Sequence, residues 1–163
     1  MSYTEIYRLG TNPACIGEVR NSWRGAMYVW NDIAKRYCGL DGFPFDDRGQ
    51  KKVWNAWQLG NMPKHEKIVL LSTMDFATAS GKDIEAVCAA FEQYGQEHPN
   101  SSLAEQASLL RAAGLGAEDL AAWNQTSVSE FWGSSWDEEK DDTVWYDAAN
   151  DDKHFDICSE LAP

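Results

Sequence analysis

Long apolar runs are missing from this sequence. Runs such as Ile68 to Leu71 and Ala86 to Phe91 are far short of the roughly 20 residues that a membrane-spanning helix needs. The opening MSYTEIYRLG has no basic stretch followed by an apolar one, so no secretory signal is expected and a cytoplasmic location is. Cysteine is sparse and scattered: Cys15, Cys38, Cys88 and Cys158 form no C-x-x-C pair. A structural zinc is therefore not expected, and buried thiols are expected rather than disulfides. Histidine is scarcer still, with His65, His98 and His154 only. There is no G-x-S-x-G, no H-E-x-x-H and no phosphate-cradling G-x-G-x-x-G or G-x-x-x-x-G-K-[ST]. Gly114 and Gly116 make a lone G-x-G, but it follows a helical segment and reads as a helix end and turn. In an EF-hand register from Asp137, the sixth position is Asp142 instead of Gly and the twelfth is Ala148 instead of Glu; the match fails at both. No cofactor and no metal are expected.

Positive charge is also short. Against 26 acidic residues stand 14 basic ones, a formal net charge of −12. Such a field repels phosphate backbones and anionic lipid heads, so direct nucleic-acid and membrane binding are disfavoured. The excess is uneven. Residues 1–129 hold 15 acids and 12 bases, a net −3; residues 130–163 hold 11 and 2, a net −9. The plain function of an acidic end is solubility.

What the chain has in plenty is aromatic residues: 8 Trp, 6 Tyr and 6 Phe among 163 residues that are 44% hydrophobic. That excludes wholesale disorder and suits one domain, at most two, burying roughly 70% of its unfolded surface. The aromatics run on into the acidic end, where solvated tails have none. The division expected is an α+β core over 1–129 and an acidic, aromatic segment over 130–163 that packs partly on it.

Periodicity sets out the elements. Residues 3–9 alternate like a short strand. Asn12 and Pro13 read as an N-cap and first helical residue. Val19, Trp23, Ala26, Met27, Trp30, Ile33, Ala34 and Tyr37 recur at steps of three and four, predicting one helix over 14–37 with Trp23 and Trp30 in the core. A shorter helix is expected over 46–59, with Asp46 and Asp47 at its start and Val53, Trp54 and Trp57 inside. Lys51 and Lys52 beside these tryptophans have a flavour of single-strand nucleic-acid binding, but core packing is favoured. Lys67 to Thr73 reads as a buried strand, and Phe76 to Ser80 as a second extended piece. Helices follow over 82–94 and 103–113, the latter with Ser102 and Glu105 at capping-box spacing. Ala117 to Ala122 reads as one more turn, and Trp123 to Val128 as a strand. The fold class is α+β: a small antiparallel or mixed sheet of about 3–4 strands, 4–5 helices and an irregular acidic C-terminal segment.

Three stretches, NSWRGAMYVW (Asn21 to Trp30), the middle strand-to-helix region and AAWNQTSV (Ala121 to Val128), resemble a group of small uncharacterised proteins of phages, prophages and mobile elements. The resemblance implies a setting, the cytoplasm of a bacterial host, and carries no activity or site residues. Interface anchors are typically aromatics among polar groups. Trp132, Trp136, Asp137, Glu138, Glu139, Asp141, Asp142 and Trp145 are therefore the candidate partner-binding residues. The leading expectation is a non-enzymatic interaction module that docks on a basic surface of a host protein, with a nucleic-acid-mimicking inhibitor of host defence as its sharpest form. One alternative is a small enzyme or ligand-binding domain whose site is assembled from loops, with Asp75, His65 and His98 as candidates. Another is a structural or packaging accessory of a phage particle.

Overall fold

The computed structural model describes residues 3–10, 12–20, 23–125, 134–145 and 154–162. Its sheet begins as an antiparallel pair, β1 (Tyr3–Leu9) and β2 (Ala14–Arg20). On the other side of β1 lies β4 (Leu120–Gln125), also antiparallel. Next come β3 (Ala77–Ser80), antiparallel to β4, and the two-residue β7 (Phe155–Asp156), parallel to β3. The order is β2-β1-β4-β3-β7, a mixed sheet of five strands. A separate antiparallel hairpin is made by β5 (Ser134–Asp137) and β6 (Asp142–Trp145).

Six helices accompany the strands among the described residues: α1 (Ala26–Tyr37), α2 (Asp47–Trp54), α3 (Lys64–Leu71), α4 (Ile84–Glu97), α5 (Leu103–Ala113) and the short α6 (Ile157–Glu160). A 3-10 turn over Asn55–Gln58 extends α2. The α+β class is as the sequence predicts, with one strand more in the main sheet and one helix more than expected. No described helix is long and apolar enough to cross a membrane.

The core lies where the sheet meets α1, α3, α4 and α5. Ile6, Val29, Ile33, Leu70, Phe91 and Tyr94 are fully buried there. Central strand β4 is covered on both sides, so it carries small Ala121 and Ala122 beside Trp123. The Trp123 ring packs edge-on against Phe91, and its Nε1 donates to Gln106 Oε1 at 3.3 Å. Ile157 of α6 is fully buried as well, so the chain's last described stretch returns to the body.

Several elements differ from the periodic reading, each for a physical reason. Residues 14–20 are not helical: they form β2, and the helix starts only at Ala26. The ladder pairs Ile6 with Gly17 but Tyr7 with Cys15, so Ile16 is an extra residue in a bulge. A bulge breaks the period of two, and the remaining apolar positions then fall at helix-like steps. Asn12 and Pro13 accordingly lead into a strand and cap no helix. Residues 67–73 are not a strand: Lys64–Leu71 is helix α3. Ile68, Val69, Leu70 and Leu71 are all buried, and a helix buried all round shows no apolar stripe to separate it from a buried strand. Trp23 leaves the core altogether. It is 84% exposed, in the turn between β2 and α1, with a left-handed φ of 69°. Trp30 is half-buried against Phe43 and Trp54, with centroids at 4.8 and 5.8 Å. Ser102 and Glu105 do not form a capping box; both turn to Arg24, the hydroxyl donating to its carbonyl and the carboxylate pairing with its guanidinium. The turn expected over 117–122 is already strand from Leu120.

Candidate functional site

The acidic residues 137–142 of the C-terminal segment form the tip of the β5–β6 hairpin. The register pairs Ser134 with Trp145, Ser135 with Val144, Trp136 with Thr143 and Asp137 with Asp142. Glu138, Glu139, Lys140 and Asp141 make the four-residue connection, and all four are exposed. Asp141 holds a φ of 51°, a left-handed conformation that aspartate tolerates better than most residues. The turn and the strand residue on each side of it, residues 137–142, hold five acidic residues and one lysine, a net charge of −4. Of the eight predicted site residues, the structure brings seven onto this one hairpin. Trp132 lies outside the described residues.

The enzyme alternative rests on His65, His98 and Asp75. The first two do enter a cluster of titratable groups, between α1, α3 and α4. Arg36 forms an ion pair with Asp32 one turn earlier and forks onto Glu66, at 3.0 Å from Nη1 to Oε1 and 2.7 Å from Nη2 to Oε2. Burial works against the Arg36 cation, but the hydrogen bonds it donates to Asp32 and Glu66 outweigh it and hold its pKa above the ordinary value. Tyr94, fully buried, donates to Asp32 Oδ2 at 2.9 Å; burial first, then Asp32, pushes its phenol up. The His98 ring stacks on Tyr94 at 4.2 Å, and its Nε2 lies 3.7 Å from Asp32 Oδ2. His65, on the first turn of α3 rather than in a loop, meets Glu97 Oε2 at 3.0 Å. That hydrogen bond lowers the Glu97 pKa.

This arrangement staples three helices. A general base needs an unclaimed lone pair within reach of substrate. Asp32 already accepts from Arg36 and Tyr94, and both Glu66 oxygens are held by Arg36. A polar crevice lined by Thr4, Ser72, Thr73, Gln106 and Gln125 has a volume of about 10 Å³, too small for more than a water molecule. A larger cleft beside α2 is lined by other residues. Neither reaches His65 or His98. Asp75 stands exposed in the turn before β3 and lines neither cavity. Sequence reading missed Asp32, Arg36, Glu66 and Tyr94. The i, i+4 spacing of Asp32 and Arg36 was the one visible signal.

Two sets of side chains have metal-like spacing among the described residues: His65, Glu66 and Glu97, and Asp83, Asp156 and Cys158. Glu66 in the first is neutralised by Arg36. In the second, Asp156 Oδ1 accepts from Ser159 N at 2.8 Å and Oδ2 from Ser80 N at 2.9 Å. The Cys158 thiol is pushed up to about 11 by burial, then by Asp156 and Asp83, so it is not a ready thiolate. Both sets have carboxylates already committed within the fold. Comparison with family models, with curated proteins and with solved structures finds no match for this chain.

Proposed function

We propose that this protein is a non-enzymatic interaction module that docks its acidic hairpin on a basic surface of a partner protein. The observation that carries the reading is the exposed tip, with Glu138, Glu139 and Asp141 in the connection and Asp137 and Asp142 at its base. A dense run of carboxylates steers encounter and selects the sign of the partner. Trp136 and Trp145, on the two strands, supply aromatic residue types common at interface centres. Asp32 and Glu66, committed to Arg36 and Tyr94 between α1, α3 and α4, are in keeping with a non-catalytic role. A bacterial host protein that normally holds nucleic acid is the partner class we favour, in keeping with the mobile-element resemblance and with a charge pattern able to imitate a phosphate backbone.

A charge-removal variant tests the reading. Asp137→Asn, Glu138→Gln, Glu139→Gln, Asp141→Asn and Asp142→Asn are combined, and crosslinked partners from a bacterial lysate are identified by mass spectrometry with wild type and variant. The expected outcome is a basic partner captured by wild type, lost with the variant and weakened by salt, while the variant's melting temperature is equal or higher. Capture that survives both the substitutions and high salt overturns the proposal.

A further inference from the structure

We propose that the cleft beside α2 is a binding site for a small phosphomonoester with a flat or apolar body, of nucleoside monophosphate size. The cleft has a volume of about 330 Å³, at the lower end of the range for small-molecule sites. Its mouth carries Arg48, Lys51, Lys52 and Asn55. These stand at i, i+3, i+4 and i+7 along α2 and the 3-10 turn after it, a spacing that places them on one face. Among the described residues no carboxylate lines the cleft, in a chain where acids outnumber bases by 26 to 14. Among the described residues, the side chains of Arg48 and Lys51 have neither a carboxylate partner nor a hydrogen bond, whereas Arg24, Arg36 and Arg111 are all paired with acids.

Helix electrostatics accounts for only part of this. Lys51 and Lys52 lie in the last turn of α2, where cations offset the helix dipole. Arg48 lies in the first turn, after the Asp46 cap, where the dipole disfavours a cation. Three cations therefore share one face without a counter-ion among the described residues, and at one of them the helix opposes the charge. An anion in the cleft removes that cost. Lys52 is also fixed: its Nζ donates to the Cys38 carbonyl at 2.6 Å, leaving two ammonium donors for a ligand.

The ligand's chemistry follows from the lining. Three positive charges match a dianion, and the arginine fork suits phosphate oxygens. Buried Cys38 and Ala56 with Leu59, which is 39% exposed, form an apolar floor. Tyr37 also lines the cleft, with the Arg36 guanidinium over its ring at 5.0 Å from the centroid. Such a floor suits a base or other flat body, and the Asn55 amide can pair with its polar edge. The strongly negative remainder of the chain disfavours a long polyanion. Local charge dominates inside the cleft, because screening at physiological salt acts over about 8 Å.

The test is a titration of the full chain with adenosine monophosphate, inorganic phosphate and adenosine, followed by amide chemical shifts. Adenosine monophosphate is expected to give saturable shifts at Tyr37, Cys38, Lys51 and Asn55, with inorganic phosphate and adenosine each binding roughly tenfold or more weakly. Arg48→Gln and Lys51→Gln are exposed changes that circular dichroism checks for folding; each is expected to weaken binding by about tenfold. Lys82→Gln, outside the cleft, leaves it unchanged. No saturable shift at these amides into the millimolar range overturns the proposal. So does inorganic phosphate or adenosine binding as tightly as the nucleotide, or equal binding by wild type and the Arg48→Gln and Lys51→Gln variants.

Discussion

At the scale of single residues, two tryptophans one heptad apart have opposite roles. Trp30 packs on Phe43 and Trp54 and donates from Nε1 to Thr73 Oγ1 at 2.8 Å. Trp23 is exposed with a left-handed backbone. Trp30→Ala is expected to lose about 2–4 kcal/mol in urea unfolding, toward the lower side of values for large aromatics because the ring is half-buried. Trp23→Ala is expected to stay within about 0.5 kcal/mol of wild type. The thiols divide in the same way. Cys15 is exposed, whereas Cys38 and Cys88 are buried, and burial pushes the Cys88 thiol up to about 11. Alkylation of the native protein near pH 8, read by peptide mass spectrometry, is expected to mark Cys15 first and leave Cys88 unmodified until the chain unfolds. Glu97 gives a pH signature. Its hydrogen bond with His65 lowers its folded pKa from the ordinary 4.5, so its contribution to stability is present above that value and fades as pH falls through the lowered one. Glu97→Gln is expected to flatten that part of the acid-unfolding profile.

At the scale of elements, legibility follows how much of the reading depends on one face. Helices α4 and α5 each bury one stripe, Val87, Phe91 and Tyr94 or Leu103, Ala107 and Leu110, and the sequence pattern shows both. The end of α5 was visible too, since Gly114 takes φ 58° at the C-cap. The bulge at Ile16 and the all-round burial of α3 erase the periodic signal, so β2 and α3 were misread. The ion network was hidden because its members come from three helices whose packing no local spacing encodes. The acidic hairpin was legible as a cluster, but its strand register was not. One close approach also depends on tertiary structure. A Cβ on Gly81 would sit 1.9 Å from the Gly116 carbonyl oxygen, where the end of β3 is bonded to Asp119 through Gly81 N at 2.9 Å. Backbone cannot yield as a side-chain tip does. Gly81→Ala is expected to lower stability by roughly 2–3 kcal/mol, measured by thermal or urea unfolding, as overpacking typically does.

At the scale of the whole molecule, two opposing electrostatic effects respond to salt. Ion pairs such as Arg111 with Glu85 and Glu92 and Arg24 with Glu105 are exposed or half-exposed, and each such pair is worth only about 0–1 kcal/mol. Screening weakens them slightly. Against them stands a net charge of −12, with −9 of it on residues 130–163. Self-repulsion of that size reaches across about 30 Å at 0.01 M salt but only about 10 Å at 0.1 M. Relief of repulsion should therefore win, and the melting temperature is expected to rise between these two salt concentrations. The variant with five amides at positions 137–142 removes five of the negative charges, leaving a net −7 from the same sequence. It is expected to melt higher than wild type at low salt and to respond less as salt is added. A melting temperature that falls with salt, or equal salt responses for the two proteins, would mean that the acidic tip is already neutralised within the fold. The hairpin would then have no unspent negative charge to offer a basic partner.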